Sequence, residues 1–232
     1  MSNVVKRVAS GFLLAVAFVA QASAAVVTVS SAGTIINGND YPNMFQAGLD
    51  LTGLHYSQSI TIDTAGMDIR DIGAGVNMVG GLNQRGTVYG KTTVNNISYA
   101  WQIENQEAHV YLWNLFPTGY PLDQAGVSAQ GTNVRDGQFT SGVQDIRTQT
   151  NPFLNSLDFG VTRHFLDLTG TESFAFFLTN TDVGQAVFSG QPDYLLWEVQ
   201  SVPEPDTIGL IVLGLGLIGF TARRRRQGAS AL

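Results

Sequence analysis

The chain has 232 residues, with 12 Lys and Arg against 18 Asp and Glu, a formal net charge of −6 and no cysteine. The missing cysteine excludes disulfides, a thiol nucleophile and a thiolate metal site. Charged residues make up 13% of the chain against a usual value of about 25%, and Gly, Asn, Thr, Ser and Gln fill the gap, as they do in β-rich chains that face water with neutral polar side chains.

The first predicted element, residues 1–24, is a removable address. Lys6 and Arg7 supply a positive start, residues 12–20 an apolar run, and Ala22-Ser23-Ala24 a small-residue site at which signal peptidase would cut after Ala24.

Residues 25–200 are long enough for one domain with a substantial core. They hold 6 basic and 16 acidic residues, a net charge of −10, which argues against nucleic acid as a partner. Helical periodicity is scarce and alternation is common. Strands are predicted over 26–30 and 59–63, with Ile60 and Ile62 on one face. The Gly-rich segment 73–81 reads as a loop or bulged edge. Met78 stands where a dinucleotide fingerprint needs its third glycine, so phosphate binding drops out.

Residues 87–113 carry the clearest pattern. An Asn95-Asn96 turn closes a hairpin that pairs Val94 with Ile97, Thr92 with Tyr99, Gly90 with Trp101 and Val88 with Ile103. One face is apolar, and the absent side chain at Gly90 makes room for the Trp101 indole. A four-residue loop, 104–107, then predicts a third strand, pairing Ile103 with Ala108, Trp101 with Val110 and Tyr99 with Leu112. On the opposite face these registers would gather Tyr89, Gln102, His109, Tyr111 and Trp113. Aromatic rings beside hydrogen-bonding side chains suit a pyranose, whose C–H face packs on a ring while its hydroxyls need donors and acceptors. The same face would be ordinary core if segment 119–150 covered it.

Segment 119–150 shows little pattern and many turn residues, and is expected to form long loops with one or two short strands. Further strands are predicted over 161–168, 173–179, 185–189 and 194–200, with a turn at 180–184. Short strands at this spacing point to an all-β single domain, a β-sandwich or jelly roll.

Catalytic signals are weak. His55, His109 and His164 lie far apart, without zinc spacing, and no G-x-S-x-G elbow occurs. No catalytic residue and no metal site is assigned. A glycosidase carboxylate pair is defined by a separation in space and stays open. Asp63, Asp68 and Asp71 with Gly66, and Asn37, Asn39 and Asp40, offer oxygens of the kind calcium takes, although neither stretch follows the EF-hand loop and such clusters ordinarily make turns.

The last element is tripartite: Val202-Pro203-Glu204-Pro205, an uncharged apolar run within 207–222, and the cluster Arg223, Arg224, Arg225 and Arg226. As a helix the sixteen residues would span roughly 24 Å against a hydrocarbon thickness of about 30 Å. Residues 208–220 carry no polar face, and a core helix rarely ends in four arginines, so a short transmembrane helix is expected. Its Arg cluster and residues 227–232 would be cytoplasmic, and everything before Thr207 would lie across the membrane.

This tail closely resembles the PEP-CTERM sorting signal of Gram-negative bacteria, with all three parts in order. The resemblance implies recognition by exosortase, a multi-spanning membrane enzyme of cysteine-protease type that removes the tail near Pro-Glu-Pro. It also implies an inner-membrane intermediate with the domain periplasmic, then release to the cell surface or the exopolysaccharide and biofilm matrix. The expected organisation is signal peptide 1–24, domain 25–200, sorting signal 201–226 and tail 227–232. The expected role is that of a non-enzymatic surface or matrix protein, with exopolysaccharide binding as the alternative. A secreted hydrolase and an ice-binding protein are lesser ones; the same C-terminal module has been labelled as a domain of ice-binding proteins, but the Thr-x-Thr triplets here are scattered.

Overall fold

The computed structural model describes residues 25–201 apart from 65–66, 68, 74–75, 82–85, 105, 115–121 and 151. The expected signal peptide, and the expected membrane helix and Arg cluster of the tail, lie outside the described residues.

Among the described residues the chain is all-β. In chain order the strands are β1 Ala25–Asp40, β2 His55–Asp63, β3 Ile69–Gly73, β4 Val76–Gly81, β5 Thr87–Val94, β6 Ile97–Glu104, β7 Glu107–Asn114, β8 Asp123–Thr132, β9 Phe139–Thr148, β10 Arg163–Phe165, β11 Glu172–Thr181 and β12 Gly184–Ser201. They form one curled antiparallel sheet in the order β3-β4-β7-β8-β9-β11-β12-β1-β2-β5-β6, with β10 paired to β12 outside that path. Residues 25–200 make up one body.

Curling turns one face of the strands inward, and side chains of period two follow it. On β2 the buried set is Tyr56, Gln58, Ile60 and Ile62, and on β11 it is Ser173, Ala175, Phe177 and Thr179. Trp101, Trp197, Phe45, Phe177 and Phe188 are the largest fully buried side chains. Rings from distant strands meet inside: Tyr99 of β6 lies 5.9 Å from Phe177 of β11, and Tyr56 of β2 lies 5.3 Å from Phe188 of β12.

Two buried amides tie the facing strands together. Gln144 Nε2 on β9 donates to the carbonyls of Val29 on β1 and Gln58 on β2, each at 3.1 Å. Gln58 Nε2 in turn donates to the Phe176 carbonyl on β11 at 3.2 Å. Burying an amide without a partner costs about 1–3 kcal/mol, so these bonds favour one alignment of the facing strands over its neighbours. At the end of the path β6 closes onto the end of β8, where the Val134 amide donates to the Gln102 carbonyl at 2.8 Å and the Gln102 amide to Asn133 Oδ1 at 2.9 Å.

The β5–β6 hairpin has the predicted register, with Val94 opposite Ile97, Thr92 opposite Tyr99, Gly90 opposite Trp101 and Val88 opposite Ile103. Asn95 and Asn96 both take positive φ, 50° and 63°, as the tight turn requires. A Cβ on Gly90 would stand 1.9 Å from Trp101 Cε2, so the indole occupies the space a side chain would fill.

Other expectations are corrected. β7 does not pair with β6: it lies between β4 and β8, with Tyr111 opposite Met78 on one side and Gly126 on the other. Chain connectivity favours pairing with the nearest segment, but β7 finds partners on the opposite side of the curl while keeping the same inward face, Ala108, Val110 and Leu112. Segment 119–150 contributes β8 and β9, which pair along ten residues each. Their alternation is muted because the inward positions hold Ala125, Ala129, Thr140, Gln144 and Thr148 beside only a few large apolar residues.

The strand expected over 161–168 shrinks to β10, because Arg163 folds its guanidinium back onto the preceding loop. The two strands expected over 185–189 and 194–200 are one, β12; Gly190 pairs with Ala175 and buried Pro192 accepts a bond from Ser173 Oγ at 3.4 Å, so neither breaks it. Of the Gly-rich 73–81 stretch, expected as a loop or bulged edge, the second alternative holds: Gly73 ends β3, Val76–Gly81 form β4, and the register shifts between Asp71 and Gly73 at the sheet edge.

Candidate functional site

The outward face of β7, β8, β9 and β11 carries a connected set of polar and aromatic side chains, and strand register places them in rows. One row runs Tyr111, Gly126, Asp145, Phe174; the next runs Trp113, Gln124, Arg147, Glu172; the row on the other side runs His109, Ser128, Val143, Phe176. Neighbouring strands are about 4.8 Å apart, so a tyrosine can bridge two strands only where the strand between leaves room. Gly126 leaves it: a Cβ there would lie 2.5 Å from the Tyr111 hydroxyl oxygen.

The ring therefore lies across β8, and its hydroxyl donates to Asp145 Oδ1 at 3.1 Å. Gln124 Nε2 donates to both Asp145 oxygens, at 3.0 and 3.1 Å. Burial pushes the Asp145 carboxyl above its ordinary range, against the lowering effect of the Gln124 and Tyr111 bonds and of the Arg147 charge. Burial first, then the Asp145 charge, raises the Tyr111 hydroxyl well above its own.

Next to Asp145 a groove of about 320 Å³ is lined by Asp145, Arg147, Glu172, Ser173 and Phe174. Arg147 Nε donates to Glu172 Oε2 at 2.7 Å, and Nη2 stands 2.6 Å from the same oxygen. Both side chains are largely in water, 53% and 71% exposed, so the pair contributes at most about 1 kcal/mol to stability. Phe174 is 42% exposed and stacks on Phe176 with centroids 6.2 Å apart and planes 14° from parallel.

The five residues predicted to share one aromatic face are divided between two patches. Tyr89 and Gln102 are opposite one another on β5 and β6, where Tyr89 is 46% exposed and Gln102 Nε2 donates to Glu104 Oε1 at 2.7 Å. His109, Tyr111 and Trp113 lie on β7, paired with β4 and β8. The Tyr111 and Trp113 rings are 6.1 Å apart, and His109 Nε2 is 3.1 Å from Glu107 Oε1. Both β7 rings are only part-exposed. The sequence reading missed Asp145, Arg147, Glu172, Phe174 and Gln124 as a group. The available signal was the outward alternation Gln124-x-Gly126 and Val143-x-Asp145-x-Arg147, which becomes visible once β8 and β9 are recognised as strands.

Of the oxygen-rich stretches considered for calcium, Asp40 is buried and caps a turn: Oδ1 accepts the Met44 amide at 2.9 Å and Oδ2 the Phe45 amide at 2.8 Å. Gly66 and Asp68 lie outside the described residues.

An antiparallel all-β body is followed in the chain by a Pro-Glu-Pro segment, an apolar run and an Arg cluster. The family model of the PEP-CTERM protein-sorting motif matches residues 201–226. The motif implies export, exosortase processing and a cell-surface destination. No curated protein matches the chain.

Proposed function

We propose that this chain is a non-enzymatic structural protein of the cell surface or biofilm matrix. Signal peptidase removes residues 1–24, the domain of residues 25–200 crosses to the periplasm, and the sorting segment 201–226 holds it transiently in the inner membrane until exosortase acts. The single observation that carries this is the sorting motif at 201–226. In support, the body is all-β, bears a net charge of −10 and uses no cysteine. We read its curled sheet as a β-sandwich whose layers β1-β2-β5-β6 and β7-β8-β9-β11 face one another, a reading supported by the Gln144 bonds to Val29 and Gln58.

The test is the intact mass of the mature protein in membrane and matrix fractions of the cells that make it. Loss of residues 1–24 and of the segment beyond Pro205, with the product in the matrix, is expected. A product that keeps Arg223 to Arg226 and stays in the membrane overturns the reading.

A second reading, contact with exopolysaccharide, is favoured by the outward aromatic rings set beside planar hydrogen-bonding side chains. Tyr89 with Gln102 forms one such patch, and His109, Tyr111 and Trp113 belong to another. Retention of the mature protein on exopolysaccharide from the same cells tests it.

A further inference from the structure

We propose that the groove between Phe174 and the Arg147–Glu172 pair is a subsite for one neutral hexopyranose unit of a polysaccharide. The proposal rests on the second reading above and names the place and the sugar chemistry. Small-molecule sites begin at about 300 Å³, so a groove of about 320 Å³ suits a single ring of a longer chain.

Its wall is the exposed face of Phe174, and stacking on Phe176 limits the ring's freedom before any ligand arrives. A preorganised flat ring loses little on binding, and the axial C–H face of a pyranose is its natural partner.

Its hydrogen-bonding edge is the ion pair. Arg147 uses Nε and Nη2 on a single carboxylate oxygen, Oε2 of Glu172. Arg147 Nη1 and Glu172 Oε1 have no hydrogen-bond partner among the described residues. A donor beside an acceptor on neighbouring strands matches two vicinal hydroxyls, each of which both gives and takes a hydrogen bond. Asp145 forms the base, and its bonds from Tyr111 and Gln124 hold it in position.

Charge selects the sugar. Two carboxylates and one guanidinium line the groove, on a body of net charge −10, so uronates and sulfated sugars are repelled and uncharged hexoses are not.

The test uses mature protein purified from the cells that make it, run by affinity electrophoresis through gels containing the neutral or the acidic fraction of those cells' exopolysaccharide. Circular dichroism and the thermal midpoint confirm that each variant is folded. The wild type should be retarded by the neutral fraction only. Phe174→Ala and Arg147→Ala should each weaken retardation at least tenfold, and Phe174→Tyr should keep it. If retardation survives Phe174→Ala and Arg147→Ala but is lost in Tyr89→Ala or Trp113→Ala, the groove is the wrong place and the polysaccharide reading stands. Retardation by the acidic fraction alone also overturns the subsite and leaves that reading intact. A wild type retarded by neither fraction overturns both.

Discussion

The Tyr111 hydroxyl reaches Asp145 at 3.1 Å across the full width of a strand to which neither residue belongs. The intervening residue is Gly126, and the bond exists because that position has no side chain. Tyr111 and Asp145 are far apart in sequence and occupy β7 and β9, so this contact reports the order of the strands directly.

Replacing Gly126 tests that dependence. A Cβ would stand 2.5 Å from the Tyr111 oxygen and 2.7 Å from the Gln144 carbonyl. The ring can swing away but the carbonyl is backbone. Gly126→Ala should destabilise the body by about 1–3 kcal/mol, read from urea midpoints. Adding Tyr111→Phe should recover only part of the loss, because the Gln144 contact remains and the ring carbon Cζ also lies 2.7 Å from the new Cβ.

Asp145 makes stability depend on pH in a defined direction. Its folded pKa is raised above the ordinary 3.8, chiefly by burial. The proton is therefore bound more tightly in the folded state, and the stability this provides is present below the ordinary value and lost as pH rises through the folded one. Asp145→Asn removes the titration while keeping an oxygen for Tyr111. The stability of the wild type relative to Asp145→Asn should fall as pH rises from below the ordinary carboxylate value through the raised folded one; a rise over that interval, measured by urea unfolding, would contradict the burial argument.

Gln144 is the polar bolt of the core. Gln144→Met preserves length and removes the donor, leaving the Val29 and Gln58 carbonyls without that bond. Each bond lost to a buried carbonyl costs about 0.5–1.5 kcal/mol, partly offset because Gln144 Oε1 is itself unpaired and buried. A net loss of about 1–3 kcal/mol is expected, with faster amide exchange in β1 and β2.

Arg163 holds the loop before β10. Its Nη1 donates to the Val161 carbonyl at 2.7 Å and its Nη2 to those of Ser156 and Asp158 at 3.0 and 2.8 Å, while the guanidinium lies 5.9 Å from the Trp197 ring centroid. Lysine has the charge without the fork. Arg163→Lys should lower stability by about 1–2 kcal/mol, and limited proteolysis should cut first within residues 152–162. Unchanged protection there would show that the loop is held by the Asp123 bonds to the Phe153 and Leu154 amides instead.

The all-β class, the export address at the tail and the β5–β6 register could be read from the chain alone, because each is local. The Asn95-Asn96 turn accepts positive φ at two successive positions, and alternation around it leaves one pairing that buries Val88, Trp101, Ile103 and Val94 together. β8 and β9 were hard to see because their inward side chains are small or polar, which lowers the amplitude of the pattern on which strand prediction depends.

Alternation along the chain sets which face of each clear strand is buried, whereas contacts between distant segments set which strand lies beside it. Alternation specifies the direction of a side chain, and that direction is the same whether β7 pairs with β6 or crosses to sit between β4 and β8. The choice was made by long-range terms with no local signature: Gly126 admitting Tyr111, Gln144 reaching two carbonyls across the core, and β6 closing onto Asn133 and Val134. For the same reason the Arg147, Glu172 and Phe174 groove could not be assembled in advance: its residues come from two strands whose adjacency is a property of the folded sheet.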